Sequence, residues 1–310
     1  MTELLVTGAT GCIGRAVVAA AQQRGWHVRG LARHAPAAPW ADGVEVAVCD
    51  VRDRAAVARV AAGCDAIVHL AGWVHRVPRD DGDRAELRSS IVGGTGTVAV
   101  VAAGLGARLV VTSTVAVFDQ SEYGRAKLEA EAVAVASCPE VLVLRPAVVY
   151  GRSDRGNVVA LIRMVDRRLG LIVGPGSNRK SMIYVENLAD RILEGIVRRD
   201  LTGTWIATDE PAPTQAEIVA EIARALGRRP PLALPRWPVL TAAALADVVG
   251  RAGRAPAGPS WHERVRGLTR STVFSGAALD ETLGYRPRVS WSEAIRTTVA
   301  WYRGGERLHA

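Results

Sequence analysis

A tyrosine and a lysine four residues apart are the side chains in this sequence best suited to chemistry. Tyr123 and Lys127 fall in a predicted helix over 122–136, so they share one helix face. A lysine ammonium beside a phenol stabilises the phenolate, and we expect it to lower the pKa of Tyr123 from about 10 toward neutrality. Tyr123 could then act as a general acid and base. Taken alone, the spacing also fits an amphipathic surface helix.

Hydroxyl side chains precede this helix. A predicted strand over 108–112 ends at Thr112, and Ser113 and Thr114 follow it directly. In a parallel sheet, residues just past the carboxyl end of a strand face the ligand crevice. Thr114 could therefore donate a hydrogen bond to the oxygen of a substrate carbonyl or alkoxide.

A glycine-rich turn lies near the start of the chain, between a predicted strand over 4–7 and a predicted helix over 15–24. Glycine permits a tight turn and a close approach of backbone to pyrophosphate, and a helix N-terminus supplies N–H groups and a partial positive charge. A strand before the turn and a helix after it are the context that a dinucleotide requires. The predicted cofactor contacts in this turn are Gly8, Thr10, Gly11, Cys12, Ile13 and Gly14.

The residue expected beside the adenosine ribose is basic. After a second predicted strand, over 28–32, the sequence has Arg33 where an acid would hold the ribose 2′-hydroxyl. Arginine can bind a 2′-phosphate instead, so we favour NADP(H) over NAD(H), with stacking of Arg33 on adenine left open. Asp50, after a third predicted strand, could accept from the adenine amino group or cap the following helix.

Strands and helices alternate through the first half of the chain. Further strands are predicted over 44–49, 66–70 and 141–144, and further helices over 55–62, 95–103, 158–168, 185–198, 214–226 and 292–302. Continuous apolar strands separated by helices indicate an α/β fold with a doubly wound parallel sheet. We expect a dinucleotide-binding Rossmann domain over 1–152, to which 181–209 returns. A smaller substrate-binding part should cover 153–180 and 210–310.

Composition excludes several classes of partner and site. The 310 residues carry a net charge of +8, but the arginines are scattered, so we expect no nucleic-acid partner. No stretch is apolar enough to span a bilayer, so we expect no membrane partner. The four cysteines form no C-x-x-C motif, so we expect no metal site and reduced thiols in a cytoplasmic protein.

Together, these features resemble the extended short-chain dehydrogenase/reductase superfamily over essentially the whole chain. The matching motifs are Thr7-Gly8-x-x-Gly11-x-x-Gly14, Cys49-Asp50-Val51, His69-Leu70-Ala71-Gly72, Ser113-Thr114-Val115-Ala116-Val117-Phe118, Tyr123-x-x-x-Lys127 and Leu144-Arg145-Pro146-x-x-Val149-Tyr150-Gly151. The branch that acts on nucleotide-diphosphate sugars is indicated by Gly156-Asn157, by the run from Asn178 to Ala189 and by Leu283-Gly284-Tyr285-Arg286-Pro287.

The resemblance implies an NAD(P)-dependent oxidoreductase that acts on a nucleotide sugar, and we expect a homodimer. Thr114 would bind the reacting sugar oxygen, Tyr123 would shuttle the proton, and Lys127 would hold the nicotinamide ribose. The cofactor contacts would also include Arg33, Asp50, Val51, Leu70, Ala71, Gly72, Thr112, Tyr123, Lys127 and Pro146. The substrate diphosphate would meet Asn157, Arg179 and Lys180.

The sequence departs from the family at two places. The family usually has an Asn shortly before a Gly-Thr pair, but here the stretch is Ser90-Ile91-Val92-Gly93-Gly94-Thr95, so a water-linked proton path could be altered. Val115 and Ala116 stand where sugar 4,6-dehydratases have an Asp-Glu pair, so we set dehydration aside.

Four large side chains near the predicted crevice each have more than one candidate role. Trp73 and Trp261 could line a sugar or base pocket or pack in the core. His69 and His75 flank the crevice, and we expect His69 to be a packed residue rather than a catalytic one.

Four functions compete. A nucleotide-sugar 4-ketoreductase is favoured, because Arg33 suits NADPH, the usual reductive carrier. A nucleotide-sugar 4-epimerase with retained NAD would use the same site residues. A reductase of a non-sugar ketone would leave Arg179 and Lys180 as surface charges. A non-catalytic NAD(P)-sensing protein would not need Tyr123 and Lys127.

Overall fold

A computed structural model describes residues 1–36, 43–73, 78–154, 156–168, 172–235, 237–241, 244 and 269–306. Its strands are β1 (Glu3–Thr7), β2 (His27–Ala32), β3 (Glu45–Val48), β4 (Ala66–His69), β5 (Arg108–Thr112), β6 (Leu142–Pro146), β7 (Val148–Tyr150), β8 (Ile172–Val173), β9 (Met182–Tyr184), β10 (Gly203–Ala207) and β11 (Ala233–Leu234). Its helices are α1 (Cys12–Gln23), α2 (Arg54–Ala61), α3 (Asp81–Arg88), α4 (Gly94–Leu105), α5 (Glu122–Ser137), α6 (Asn157–Asp166), α7 (Val185–Val197), α8 (Gln215–Ala225), α9 (Ala277–Leu283) and α10 (Trp291–Glu306). Among these residues, no helix combines the length and apolarity that a membrane span requires.

The chain divides into two compact units. The first unit comprises Met1–Val149, Ile183–Asp209 and Ser275–Val289. The second comprises Tyr150–Met182, Glu210–Phe274 and Ser290–Ala310. The sequence analysis assigns all of 210–310 to the substrate-binding part, and the structure differs by joining 275–289 to the first unit.

A buried arginine explains this difference. Arg191 on α7 is fully buried, and its guanidinium donates to Asp280 on α9 at 2.7 and 2.8 Å and to Asp209 at 3.1 Å. The same group lies 4.4 Å from the ring centre of Tyr285. A buried cation is tolerated only when such partners surround it, so this ion-pair network holds 275–289 against α7.

A seven-stranded parallel sheet forms the centre of the first unit, within the described residues, in the order β10-β6-β5-β4-β1-β2-β3. The chain runs outward from β1 to β3 and then resumes at β4 on the other side of β1. Ligands of such sheets bind at the carboxyl ends of the strands where the order reverses, here beside β1 and β4. The predicted doubly wound fold is confirmed.

Alternate residues of each strand enter opposite cores. Leu4 and Val6 of β1 pack with α1, α7 and α9 on one face of the sheet. Leu5 of β1 and Ile67 of β4 pack with α2, α4 and α5 on the other face. Because both faces are covered, the strands are apolar throughout, which is why they could be predicted from sequence.

The second unit is built mainly from helices in its described part. α8 packs against α6 and α10, and β8 pairs in parallel with β11. The ring of Tyr150 meets that of Trp291 on α10 edge to face, with centroids 5.9 Å apart. A capping box joins Thr214 and Glu217 at the start of α8, which satisfies two backbone N–H groups there.

Candidate active site

The glycine turn after β1 admits no larger residue at its critical positions. Gly8 has a φ of +69°, and a Cβ there would lie 2.9 Å from the backbone nitrogen of Ala71. A Cβ on Gly14 would overlap the carbonyl oxygen of Gly8. Gly11 is the N-cap of α1 and provides no side-chain cap. The backbone at the start of α1 therefore lies unshielded by side chains.

The end of β4 is fixed beside this turn. Thr7 Oγ1 accepts hydrogen bonds from the backbone N–H groups of Leu70 at 3.2 Å and Ala71 at 3.3 Å. Together the two strand ends form a glycine cradle at the N-terminus of a helix. Such a cradle fits the pyrophosphate of a nicotinamide dinucleotide, since backbone N–H groups and the helix dipole favour an anion there.

At the adenosine end, Arg33 is exposed immediately after β2. Asp50 accepts hydrogen bonds from Arg52 at 2.6 and 2.9 Å, and these bonds, with a smaller effect of the Arg33 charge, lower the pKa of Asp50. The alternative that Asp50 caps α2 is wrong, because the carboxylate of Asp53 accepts from the N–H of Ala56 at 3.0 Å.

Lys127 is buried beneath the end of β5. Its Nζ donates to the carbonyl oxygen of Thr112 at 3.0 Å. Burial lowers the pKa of Lys127 to about 8, while the carboxylate of Glu131, one turn further along α5, acts in the opposite direction. The hydroxyl of Thr112 is also buried and has no hydrogen-bond partner in the described part of the chain.

Tyr123 packs against an apolar cluster. This cluster consists of Trp73, Leu87, Ile91, Ala126 and Ala130. Burial raises the pKa of the Tyr123 phenol to about 12. The expected lowering toward neutrality by Lys127 is wrong for this structure, because desolvation of the phenolate outweighs any field from the ammonium. The phenol is therefore protonated at neutral pH.

Thr114 keeps a proton to donate. Its Oγ1 accepts from the N–H of Ala116 at 3.1 Å and so caps the short 3-10 helix Val115–Phe118, which leaves the O–H available for another acceptor. α5 begins very close to this turn, because Gly124 has no Cβ and one would overlap the carbonyl oxygen of Ala116. Gly124 thus lets the helix that carries Tyr123 approach the turn that follows Thr114.

A buried ionic cluster behind these residues was not predicted. Glu131 accepts hydrogen bonds from Ser113 and from Arg145, whose Nε lies 2.9 Å from a carboxylate oxygen. Both partners follow or end strands of the central sheet, and Glu131 lies on the helix that carries Lys127. The available signal was an acid four residues after Lys127, a spacing that places both on one helix face.

His69 is a packed residue in the first unit. Its ring nitrogens lie 2.8 Å from Thr7 Oγ1 and 3.2 Å from Thr95 Oγ1. Burial, with a smaller effect of Lys127, lowers the pKa of His69 to about 3, so the ring is neutral. A π-helical turn, Ser89–Gly93, occupies the stretch that lacks the family's Asn.

The remaining predicted cofactor residues fall near the same sheet edge. Gly72 follows β4, and a Cβ there would lie 3.9 Å from Lys127 Nζ. Val51 is buried after β3, and Pro146 is the last residue of β6. Trp261 and His75 lie outside the described residues.

The residues predicted to bind the substrate diphosphate lie in the second unit, and the structure separates them. Arg179 donates from Nη1 to the carbonyl oxygen of Ala212 at 2.7 Å. Lys180 Nζ instead lies 3.4 Å from Thr272 Oγ1. The two residues bridge different chain segments in extended backbone, where consecutive side chains point to opposite faces. They do not form one clamp.

Lys180 has a different cationic neighbour, which the sequence analysis missed. Burial lowers the pKa of Lys180, and the charge of Arg270 lowers it further. An anion bound near both cations would stabilise the protonated form of Lys180. Sequence separation hid this pairing, since 90 positions divide the two residues.

Asn157 is less suited to bind an anion than expected. It is exposed at the first turn of α6, whose N-cap is Gly156. The carboxylate of Asp154 accepts from the N–H of Gly156 at 2.6 Å. A negative charge therefore already lies at this helix N-terminus.

Comparison with known proteins agrees with the predicted class. Residues 4–200 match the model of the NAD dependent epimerase/dehydratase family, and the chain belongs to that family. It is therefore a nicotinamide-dependent enzyme of the extended short-chain dehydrogenase/reductase type, as predicted, and the description of its family names NAD.

Individual relatives differ in what their names say they act on. The chain is 30% identical over 305 residues to the ceramide reductase of Caulobacter vibrioides (strain NA1000 / CB15N), covering 96% of this chain and 93% of the relative. It is 29% identical over 207 residues to the N-acetyl-alpha-D-glucosaminyl-diphospho-ditrans,octacis-undecaprenol 4-epimerase of Escherichia coli O157:H7, covering 59% and 61%. The structure of MoeE5 in complex with UDP-glucose and NAD shares the fold, with a TM-score of 0.74, 23% identity and coverage of 98% and 99%.

Proposed function

We propose that the protein is a ketoreductase that reduces carbon 4 of a nucleotide-diphosphate sugar, with Tyr123 as the proton donor. The observation that carries this proposal is the end of β5, where Lys127 is anchored on the carbonyl oxygen of Thr112 and α5 approaches the turn after Thr114. These contacts bring a phenol, a hydroxyl and an ammonium to one edge of the sheet, the groups that proton transfer to a keto oxygen requires. We prefer reduction to epimerisation because the exposed Arg33 suits NADPH, the usual reductive carrier.

The catalytic side chains divide the work as follows. When bound, the reduced dinucleotide supplies the hydride. Thr114 donates a hydrogen bond to the keto oxygen, and Tyr123 then gives its proton to the oxygen as negative charge develops there. Lys127, anchored on Thr112, holds the ribose of the cofactor and stabilises the phenolate that remains.

We further propose a preference for NADP(H). Arg33 is an exposed cation at the position where an acid would select NAD(H), and a 2′-phosphate complements it. The substrate's diphosphate is bound by Lys180 and Arg270, whose mutual repulsion an anion would relieve. In this proposal Arg179 contributes less than the sequence alone suggests, because its guanidinium is held by Ala212.

A second candidate is reduction of a ketone on a lipid. It is favoured by a relative that matches nearly the full length of the chain and is named a ceramide reductase. Another relative is named for a sugar joined by a diphosphate to undecaprenol, and that diphosphate would also suit Lys180 and Arg270. The catalytic roles of Thr114, Tyr123 and Lys127 are the same for both candidates.

A deuteride-transfer experiment separates these functions. The purified protein is incubated with deuterated NADPH and either 4-keto nucleotide sugars or a long-chain ketone lipid, and products are analysed by mass spectrometry. A 4-ketoreductase consumes NADPH and places one deuterium in the sugar product. Interconversion of two nucleotide sugars without NADPH consumption would instead show an epimerase. Deuterium found only in the lipid would establish the second candidate.

We also propose a homodimer. Leu128 and Val135 are exposed and lie seven residues apart on one face of α5. Sedimentation equilibrium should give twice the chain mass for the wild type and the chain mass for Leu128→Glu. A monomeric wild type would contradict the proposal.

A further inference from the structure

An exposed apolar surface lies on the second unit. Leu232 is 79% exposed, Leu234 is 37% exposed and Trp237 is 71% exposed. We call these three side chains the β11 surface. Leu232 and Leu234 flank Ala233 in extended backbone, so they point to the same side. We interpret these three exposed large apolar side chains, which fall within 232–237, as an interaction surface.

The β11 surface ends at a group of arginines. β11 pairs in parallel with β8, in the register Ala233 with Ile172. Arg229 and Arg168 each precede their strand by the same number of residues, so both lie at the N-terminal end of this ladder, and both are exposed.

An ion pair also joins the segments that precede β8 and β11. Arg228 donates to Asp166 at 3.2 Å, and this contact brings Arg229 alongside the end of α6, where Arg167 is exposed. The surface thus combines leucines and a tryptophan with an adjoining positive rim.

We infer that the β11 surface docks the protein on a bilayer containing anionic lipids. Tryptophan prefers the bilayer interface, leucines enter the acyl boundary, and each arginine near an anionic surface adds electrostatic attraction. The sequence predicts no membrane partner because no segment could span a bilayer, but surface binding needs no such segment.

The positive charge beside the β11 surface favours an anionic bilayer over a second copy of this chain as its partner. A symmetric dimer would place the same surface on both partners and bring two sets of the arginines Arg167, Arg168 and Arg229 together. The whole chain also carries a net charge of +8, which favours an anionic partner over itself. This inference does not depend on the proposed substrate.

Vesicle sedimentation tests it with the full chain. Wild type should pellet with phosphatidylcholine vesicles that contain phosphatidylglycerol, and less with phosphatidylcholine alone or at high salt. The double variant Leu232→Ser, Trp237→Ser should lower the partition coefficient at least about tenfold, since it removes most of the inserting area. The double variant Arg167→Glu, Arg229→Glu should remove the preference for anionic vesicles.

A matched control is Val197→Ser, which changes a 60% exposed valine at the end of α7 in the first unit and should bind as wild type. Reduction of a water-soluble ketone should be unchanged in all variants, which shows that they are folded. The inference is overturned if wild type pellets with neither vesicle, or if Val197→Ser loses as much binding as the leucine and tryptophan variant. It is also overturned if the Leu232→Ser, Trp237→Ser variant binds vesicles as wild type does but has a lower molecular mass by sedimentation equilibrium. The β11 surface would then join two copies of the chain.

Discussion

Two lysines in this molecule show how the surroundings of a cation determine its use. Burial lowers the pKa of both Lys127, in the first unit, and Lys180, in the second. For Lys127, the carboxylate of Glu131 on the same helix partly opposes this lowering. For Lys180, the charge of Arg270 adds to it.

The difference separates Lys127, a cation that we propose positions its neighbours, from Lys180, a cation that we propose binds an anion. Lys127 is buried and its Nζ donates to the carbonyl oxygen of Thr112, so its position is fixed within the fold, as the role that we propose for it beside Tyr123 requires. Lys180 is partly exposed, and the charge of Arg270 disfavours its protonated form.

The largest effect is expected from Tyr123→Phe. Removal of the hydroxyl deletes the proton donor and leaves the apolar cluster around the ring filled, so kcat should fall by roughly a hundred- to ten-thousand-fold. Cofactor affinity, measured by fluorescence titration, should stay within about threefold of wild type, less than the tenfold that 1.4 kcal/mol represents.

Tyr285→Phe is the matched control, because Tyr285 is also a partly buried tyrosine, but its ring packs on Arg191 rather than on the apolar cluster around Tyr123. Its kcat should change little. If Tyr123→Phe turned over its substrate nearly as fast as wild type, the proton would have to come from another group. The role proposed for Lys127 beside Tyr123 would then be contradicted as well.

Glu131→Gln should reveal whether Lys127 depends on its carboxylate. The negative charge of Glu131 raises the pKa of Lys127, so a neutral amide should let it fall below about 8. The alkaline limb of the kcat/KM profile should then move toward lower pH, with a loss at about pH 8 several-fold greater than at pH 6.

The control is Glu129→Gln, which alters an exposed acid on the same helix that pairs with Arg88. Its profile should match wild type. Because Glu131 also neutralises Arg145, the melting temperature of each variant is measured in parallel. A uniform loss at every pH, with no shift of the limb, would restrict Glu131 to a structural role.

The predictable parts of this protein are those where local pattern and fold agree. Buried parallel strands are continuously apolar, and glycine at positions 8 and 14 follows from backbone geometry, so the nucleotide-binding half could be predicted from sequence. β10 was missed, because Gly203 and Thr204 open it and give a weak strand signal. α3 was missed because it has almost no apolar face and is stabilised by Asp80 as its cap.

The unpredicted parts of the site depend on contacts between distant residues. Nothing in the order of residues shows that Lys180 would meet Arg270 rather than act with its neighbour Arg179. The pKa of Tyr123 likewise depends on how tightly Trp73 and its cluster surround the ring, which spacing alone does not determine. Spacing identifies candidate residues, and packing decides their protonation.

A smaller effect, on KM rather than kcat, is expected when Lys180 is replaced. Lys180→Ala should raise the KM for a nucleotide sugar about tenfold, the equivalent of 1.4 kcal/mol, with kcat nearly unchanged. Arg179→Ala should raise it by less than about threefold, because that guanidinium donates to Ala212. Reduction of a small neutral ketone is the control and should be equal in both variants. If Arg179→Ala raised the KM as much as Lys180→Ala, both adjacent cations would bind the diphosphate, as the sequence analysis predicts.

The smallest change in overall rate should come from Arg33→Asp, which exchanges cofactors rather than disabling the site. Arg33, like Lys180, is a cation that we propose binds an anion. It is exposed after β2, and the carboxylate of the nearby Asp50 already accepts a hydrogen bond from Arg52. The substitution removes the charge that a 2′-phosphate needs and supplies an acceptor for a 2′-hydroxyl, so the ratio of kcat/KM for NADPH over NADH should fall at least about tenfold. Arg54→Asp, an exposed change at the start of α2, should leave that ratio unaltered. A wild type that already prefers NADH would show that Arg33 receives no phosphate, and a retained NAD would then favour the epimerase.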